Sequence, residues 1–330
     1  MLNKREAYLC LSAMLRAREP KLLNSERAER MLDAGSFEEA AKLLTDCGYD
    51  DMSQMNAKEI ENALYAHKAE IYNELERLVP DRDILDFFKM KYDYHNAKVI
   101  LKAEAMNTDA ERLFSGSGRL TPDKLKALYN EEKYSSMPAA LGKAMEEAKN
   151  VLARSSNPQQ ADFILDDAYL TEMLTAAKES GNEFLMGYAK LLIDSANLKS
   201  AVRTLRMGKG PDFMSMALVK GGTVDIDRIL SAGDKDSLSA LYAHSKLEKA
   251  AQLGSEALEG GSLTAFELAC DNAVNAYLSS AKLVSFGSET LTAYLAALES
   301  EITAVRMILT GRLAGIKPAS IKERLRDMYA

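Results

Sequence analysis

The sequence predicts an all-α protein made of three similar helical lobes, and three observations lead there. Its 330 residues hold 7 Pro, 18 Gly and no Trp against 47% hydrophobic and 28% charged side chains, a helix-favouring balance with few chain breakers. Capping signals recur ahead of amphipathic runs, and no period-2 strand bounded by hairpin turns interrupts them. A short motif also returns three times at a near-constant interval: an acid, three residues later an amide or small residue, then an apolar one, then a base.

Along the chain, an amphipathic helix begins almost at once and includes AMLRAREPKLL (Ala13–Leu23). SERAERMLDAGSFEEAAKLL (Ser25–Leu44) reads as helix, turn, helix, with Ser36 placed three residues before Glu39 as a cap. A longer amphipathic run, Asn56–Leu78, opens on Asn56 and Glu59, and DYHNAKVIL (Asp93–Leu101) closes the first lobe. The second lobe repeats the plan. Thr121 caps a helix with Pro122 at its first position, a turn falls at Asn130, a long helix covers Asp166–Glu179, and DSANLKSAV (Asp194–Val202) closes it. The third runs through TVDIDRILSAGDKDSLSALY (Thr223–Tyr242), a long helix over Ser262–Lys282, and EITAVRMIL (Glu301–Leu309). Ser320, three residues before Glu323, is expected to cap a last helix.

Two landmarks keep one period. The turns at Asp33, Asn130 and Ser231 are 97 and 101 residues apart, and the closing acids Asp93, Asp194 and Glu301 are 101 and 107 apart. Ordinary helical arrays repeat at about 34 to 47 residues, so this is a triplicated small domain rather than a solenoid. Each lobe should hold two short helices followed by two long ones packed as an antiparallel hairpin. Asn107 and the Gly208–Pro211 stretch interrupt the helical pattern and divide the chain into 1–109, 110–210 and 211–330.

On a helix turning about 100° per residue, Ala97, Ile100 and Leu101 all fall within about 80° of Asp93, which places the acid inside the apolar face. Leu198, Ala201 and Val202 surround Asp194 in the same way, as do Val305, Ile308 and Leu309 around Glu301. The bases Lys98, Lys199 and Arg306 lie at the edge of that face; Asn96 and Asn197 follow the first two acids by three residues. A buried lone carboxylate costs several kcal/mol, so each acid must find a partner. The expected partner is a basic side chain or a helix N-terminus within the same lobe. Three copies at one interval point to shared architecture rather than to a single catalytic acid.

The remaining chemistry is sparse. A net charge of −7 argues against nucleic-acid binding, which needs a basic face. The longest run without a charge is Asn272–Ala281, too short to span a bilayer, and the N-terminus carries no signal-peptide pattern. These features predict a chain kept in the cytosol or at its membrane face. Cys10, Cys47 and Cys270 form no CxxC pair and read as buried reduced thiols. There is no phosphate loop, no strand-bounded GxGxxG, no HExxH and no GxSxG. GKG at Gly208–Gly210 reads as a connector. His67, His95 and His244 fall in different lobes, and no cluster has metal-ligand spacing. His95 has only Ala196 and Thr303 as its counterparts, so no shared role can depend on it. Met207, Met214 and Met216 are core fillers or an adaptable contact surface, and the KERLRDM run reads as a solvated helix face anchored by Leu325 and Met328. Neither a cofactor nor a bound metal is expected.

By its triplicate order the chain resembles the C subunit of V/A-type ATP synthases, a family related to the d subunit of eukaryotic vacuolar ATPases. The likeness spans essentially the whole chain. It is carried by Phe163–Arg206 with Asp166, Tyr169, Gly181, Tyr188, Asp194 and Asn197, by Ser300–Leu325, and by Ala13–Leu23. Met14 and Ala304 depart from the family pattern. The resemblance implies a funnel of three lobes about a pseudo-threefold axis. It further implies a non-catalytic central-stalk adaptor that sits on a membrane ring of proteolipid subunits, receives the foot of a central axle and passes torque between them. Stiff packed helices and two broad interfaces suit such a part. Contact turns are expected at Asp33 and Gly35, at Asn130 and Lys133, and at Ser231 and Lys235. The competing expectations are a cytosolic helical scaffold that binds peptide segments, and a metal-free helical enzyme using one buried acid.

Overall fold

The computed structural model describes residues 5–330, and among them every regular element is an α-helix or a short 3-10 turn. The chain runs through α1 (Leu9–Arg18), α2 (Ser25–Asp33), α3 (Phe37–Lys42), α4 (Ala57–Leu78) and α5 (Asp83–Met106). It continues through α6 (Pro122–Asn130), α7 (Ala139–Ser155), α8 (Pro158–Glu179), α9 (Glu183–Arg206) and α10 (Pro211–Ala217). The last part holds α11 (Ile226–Ser231), α12 (Lys235–Leu241), α13 (Glu248–Leu258), α14 (Leu263–Ser279), α15 (Ser288–Leu313) and α16 (Pro318–Lys322).

The expected caps form because their side chains replace missing helical acceptors at the first turn. Ser36 accepts from Glu39 N–H, Thr121 accepts from Lys124 N–H, and Asn56 and Glu59 make a reciprocal capping box. Ser320 does not cap. It lies inside α16, whose N-cap is Lys317 with Pro318 in the first turn, since proline's fixed φ and missing N–H suit that position. Asp33, Asn130 and Ser231 are each the last residue of their helix, and the next helical element starts four residues on, at Phe37, Tyr134 and Lys235. Both expected interruptions end long helices: α5 stops at Met106 before Asn107 at φ 46°, and α9 stops at Arg206 before Gly208 at φ 65°.

The three segments are not copies. Where the first has a 3-10 turn at Leu43–Cys47, the second has the 17-residue α7 and the third the 11-residue α13. Helix α10 starts at Pro211, directly after the Gly208–Gly210 connector, and α8 begins at Pro158, eight residues before Asp166.

Two compact bodies emerge. One comprises residues 5–84, 246–256 and 260–330. Its central element is α15, buried at every position from Thr290 to Leu298 and packed against α1, α2, α3, α4, α14 and α16. A helix apolar around most of its circumference is stable only when covered this way. The other body comprises 85–245 and 257–259. There α8 lies between α7 and α9, and α10 rests on both α8 and α9 before the chain turns into α11 and α12. No helix among the described residues is long and apolar enough to cross a membrane.

Candidate functional site

The closing acids do lie in the core. Asp93, Asp194 and Glu301 are 0%, 3% and 3% exposed, so each must be compensated locally. All three are compensated by one device. The acid accepts the backbone N–H of the residue just ahead of a short helix's N-cap: Leu120 for Asp93 at 3.1 Å, Val224 for Asp194 at 3.1 Å, and Leu23 for Glu301 at 2.5 Å. The N-caps that follow are Thr121, Asp225 and Asn24. Each carboxylate thus sits at the approach to a helix N-terminus, where negative charge is favoured.

The remaining oxygens are satisfied differently in each copy. Asp93 receives Arg119 Nε at 2.6 Å, and the same guanidinium reaches Glu172 on α8 at 2.7 Å. Tyr94 donates its hydroxyl to the other Glu172 oxygen at 2.6 Å. Asp194 takes Thr223 through both N–H, at 2.8 and 3.0 Å, and hydroxyl, at 2.5 Å. Glu301 accepts from the Tyr49 hydroxyl at 2.6 Å. Tyr49 is delivered by Gly48, whose φ of 89° ends the preceding 3-10 turn in the left-handed conformation glycine favours. Burial raises the Asp93 carboxyl in spite of Arg119. Burial also pushes Glu301 up to about 7, against the pull of Tyr49, the Leu23 N–H and the Arg27 charge.

Three residues after the acid, the amide grips the same loop. Asn96 donates to Ser115 C=O at 2.7 Å and accepts Ser115 N–H at 2.8 Å. Asn197 does the same to Val219, at 2.8 Å both ways. The two side chains act as one rung of a sheet-like ladder for an otherwise unpaired backbone. Ala304 has no such task. Five residues before Leu23 the chain is Arg18, the last residue of α1, with its N–H bonded inside its own helix. The bases tie further elements: Lys98 meets Asp166 on α8 at 2.5 Å, and Arg306 meets Glu61 on α4 at 2.7 Å. Lys199 is half-buried.

Arg119 is a basic partner as expected, and all three acids lie at the approach to a helix N-terminus. The hydroxyls of Thr223 and Tyr49 are of neither expected kind, and none of these partners lies within the same lobe. With divisions at 109/110 and 210/211, Asp93 and Asn96 hold residues 115–120, and Asp194 and Asn197 hold 219–224. Glu301 holds the N-terminal segment, 278 residues away at Leu23. Each closing helix therefore grips the opening loop of the segment that follows, and the last grips the first. The sequence reading missed Arg119, Thr223 and Tyr49, and with them Gly118 and Gly222. A Cβ at either glycine would collide with the aspartate oxygen. The signal was present as Gly118-Arg-Leu-Thr121 and Gly222-Thr-Val-Asp225, alike in their glycine, their apolar third residue and their N-cap.

The other candidates are scattered. Asp33, Gly35, Asn130, Lys133 and Ser231 are exposed, and Lys235 is half-buried. Lys133 pairs with Glu131, and Lys235 with Asp236 and Glu259. His95 contacts Leu113 C=O at 2.8 Å, and His67 stacks on Tyr49 with centroids 4.0 Å apart. Cys47 and Cys270 are buried as expected, whereas Cys10 is exposed. Met214 is core, while Met207 and Met216 are exposed. Among the described residues no group of His, Cys, Asp and Glu could hold a metal ion.

The class so defined is an all-α protein with a triplicated helical motif whose buried acids and amides hold loops in place. Over residues 11–324 the chain matches the family described as ATP synthase (C/AC39) subunit, and it belongs to that family. It is similar to the C subunit of the V-type sodium ATPase of Enterococcus hirae, 24% identical over 98% of this chain and 99% of that protein. It is likewise similar to the C subunit of the A-type ATP synthase of Methanocaldococcus jannaschii, 26% identical over 96% of this chain and 86% of the relative. The C subunit of the V-type ATP synthase of Thermus thermophilus is 24% identical over 67% of this chain and 69% of its own length. The family is a structural subunit of a rotary ion-transporting ATPase complex and is not itself catalytic.

Proposed function

We propose that this chain is the non-catalytic central-stalk adaptor of a rotary V/A-type ATPase or ATP synthase. On this reading it sits between the central axle subunits and the membrane ring of proteolipid subunits and passes torque between them, coupling nucleotide turnover elsewhere in the complex to ion transport. It is peripheral to the membrane, held at the cytoplasmic face through the ring. The three lobes, 1–109, 110–210 and 211–330, are its quasi-equivalent bodies, and the turns at Asp33 and Gly35, Asn130 and Lys133, and Ser231 and Lys235 form a contact rim.

The observation that carries this reading is the carboxylate latch, present in triplicate in a member of the ATP synthase C/AC39 family. A part that transmits torque must not wind up under load. Close-packed helices already resist deformation, and the latches join stretches that are remote in sequence. Tyr49 and Glu301 are 252 residues apart, and Arg306 and Glu61 are 245 apart. The Glu301 tie uses a buried carboxylate and the Leu23 backbone N–H, which are costly to leave unmet, whereas the Arg306–Glu61 pair is half exposed and adds less.

The test is co-elution of the purified chain with the axle subunits, and separately with the detergent-solubilised ring, at two salt concentrations. Binding to both, one to one, is the expected result, and its salt dependence reports how polar each face is. A folded, helical chain that binds neither overturns the adaptor reading in favour of a cytosolic peptide-binding scaffold.

A further inference from the structure

Between α7 and α8, and closed at one end by the end of α10, runs an open trough of about 710 Å³. Its walls are two helical stripes. Ala140, Ala144, Glu147 and Val151 follow one face of α7, and Phe163, Ile164, Asp167 and Thr171 follow one face of α8. At 1.5 Å per residue the α7 stripe from Ala140 to Val151 is about 16 Å long, and the α8 stripe from Gln160 to Thr175 about 22 Å. That is three to four turns of helix, long and shallow, unlike the enclosed pockets that take small molecules. Alanines on the α7 side let another backbone come close, and the exposed Met216 offers an adaptable end wall.

The trough has one flaw as an empty surface. Glu147 and Asp167 lie midway along a lining that mixes Ala, Val, Phe, Ile and Met with Lys143, Gln160, Glu172 and the hydroxyls of Thr171, Thr175 and Ser215. No cation pairs with either acid among the described residues. Partial desolvation and the neighbouring Glu147 charge both push the Asp167 carboxyl up. Lys143 lines the trough one turn from Glu147, and among the described residues it forms no ion pair. Glu172, also in the lining, is already spent on Arg119 and Tyr94. An occupant that brought one positive charge to the middle of the trough would sit between the two carboxylates, offset one of their two charges and relieve their mutual repulsion. Its apolar residues would cover the alanine, valine, phenylalanine and isoleucine positions.

We propose that this trough docks an amphipathic helix of a partner protein whose apolar stripe carries one Arg or Lys near its centre. This is the helix-in-groove mode, with anchors at i, i+3, i+4 and i+7. The inference stands apart from the adaptor reading and survives its failure.

The experiment titrates the full chain into a fluorescein-labelled 18-residue helical peptide with a Leu/Ala stripe and a single central Arg, followed by anisotropy. A second peptide carries Glu at that position. The Arg peptide is expected to bind at least about tenfold more tightly, a difference of one factor of ten in Kd. Exchanging both acids, E147Q with D167N, should remove that preference while leaving the helical signal and melting temperature in place. A140W, at a half-buried wall position, should block both peptides. Equal binding of the two peptides, binding unaffected by A140W, or no binding at millimolar concentration would each overturn the proposal. The comparison of two peptides on the unmodified chain needs no variant to fold.

Discussion

Glu301 differs from the other two acids in having neither an ion-paired arginine, as Asp93 has, nor the several donors gathered on Asp194. Its ordinary value is 4.5, and burial, opposed by Tyr49 and Leu23, holds it at about 7 in the fold. The folded state therefore binds a proton that the unfolded state has already lost. Its stabilising contribution is complete below about pH 4.5 and is lost as pH rises through about 7. The rise from 4.5 to about 7 makes this a few kcal/mol, on the order of 3. His67, stacked on Tyr49, is pulled below its usual 6.5 by burial and works in the opposite direction, losing stability as pH falls. The two are separated by comparing the parent with E301Q in urea titrations from pH 4.5 to 8. The parent-minus-variant difference should decline across that window; a flat difference would mean Glu301 keeps an ordinary affinity for its proton. The amides give a second test. Asn197 serves the backbone of Val219, a residue 4% exposed, whereas Ser115, served by Asn96, is half-buried. N197A leaves a buried N–H and C=O unmet and should cost about 2–4 kcal/mol, with N96A about half that. Equal losses would show that burial of the loop does not set the cost.

At the scale of elements, the helices and their start signals were readable because capping and apolar periodicity are local properties. Asn56 with Glu59, and Thr121 with Pro122, mark helix starts in sequence as they do in space. The buried positions of the acids were readable too, from the wheel alone. What each acid holds was not. The tie from Asp93 to Leu120 closes 27 residues and that from Asp194 to Val224 closes 30, and nothing in a 3.6-residue period says where a loop returns. The loops themselves carry the constraint as a glycine. At Gly222 a Cβ would meet both an Asp194 oxygen and the Ile193 side chain, so G222A should cost about 1–3 kcal/mol through forced displacement. Because the obstacle is the aspartate itself, G222A placed in a D194A background should cost clearly less than in the parent. Such non-additivity is expected of residues in contact, and strict additivity of the two melting-temperature losses would place the strain elsewhere.

Across the whole chain, the same loop-gripping device joins each closing helix to the next opening loop and the last helix to the first segment, and this leaves the short-helix turns as the repeated feature not consumed by internal packing. Asp33, Asn130 and Ser231 end their helices at one spacing and lie exposed. Lys133 and Lys235 follow two of these turns, and their ion pairs with Glu131, Asp236 and Glu259 involve exposed carboxylates. Exposed pairs of this kind contribute about 0–1 kcal/mol each. The double change K133E with K235E should therefore leave helicity and melting temperature nearly unaltered while reversing two charges on the proposed contact rim. If that rim meets another member of the complex, reversal acts on encounter and register. The prediction is loss of co-elution with one of the two proposed partners, axle subunits or ring, strongest at low salt and reduced as screening grows. Retention of both partners at both salt concentrations would assign these turns to plain solvated surface and move the search for the interfaces to other faces of the molecule.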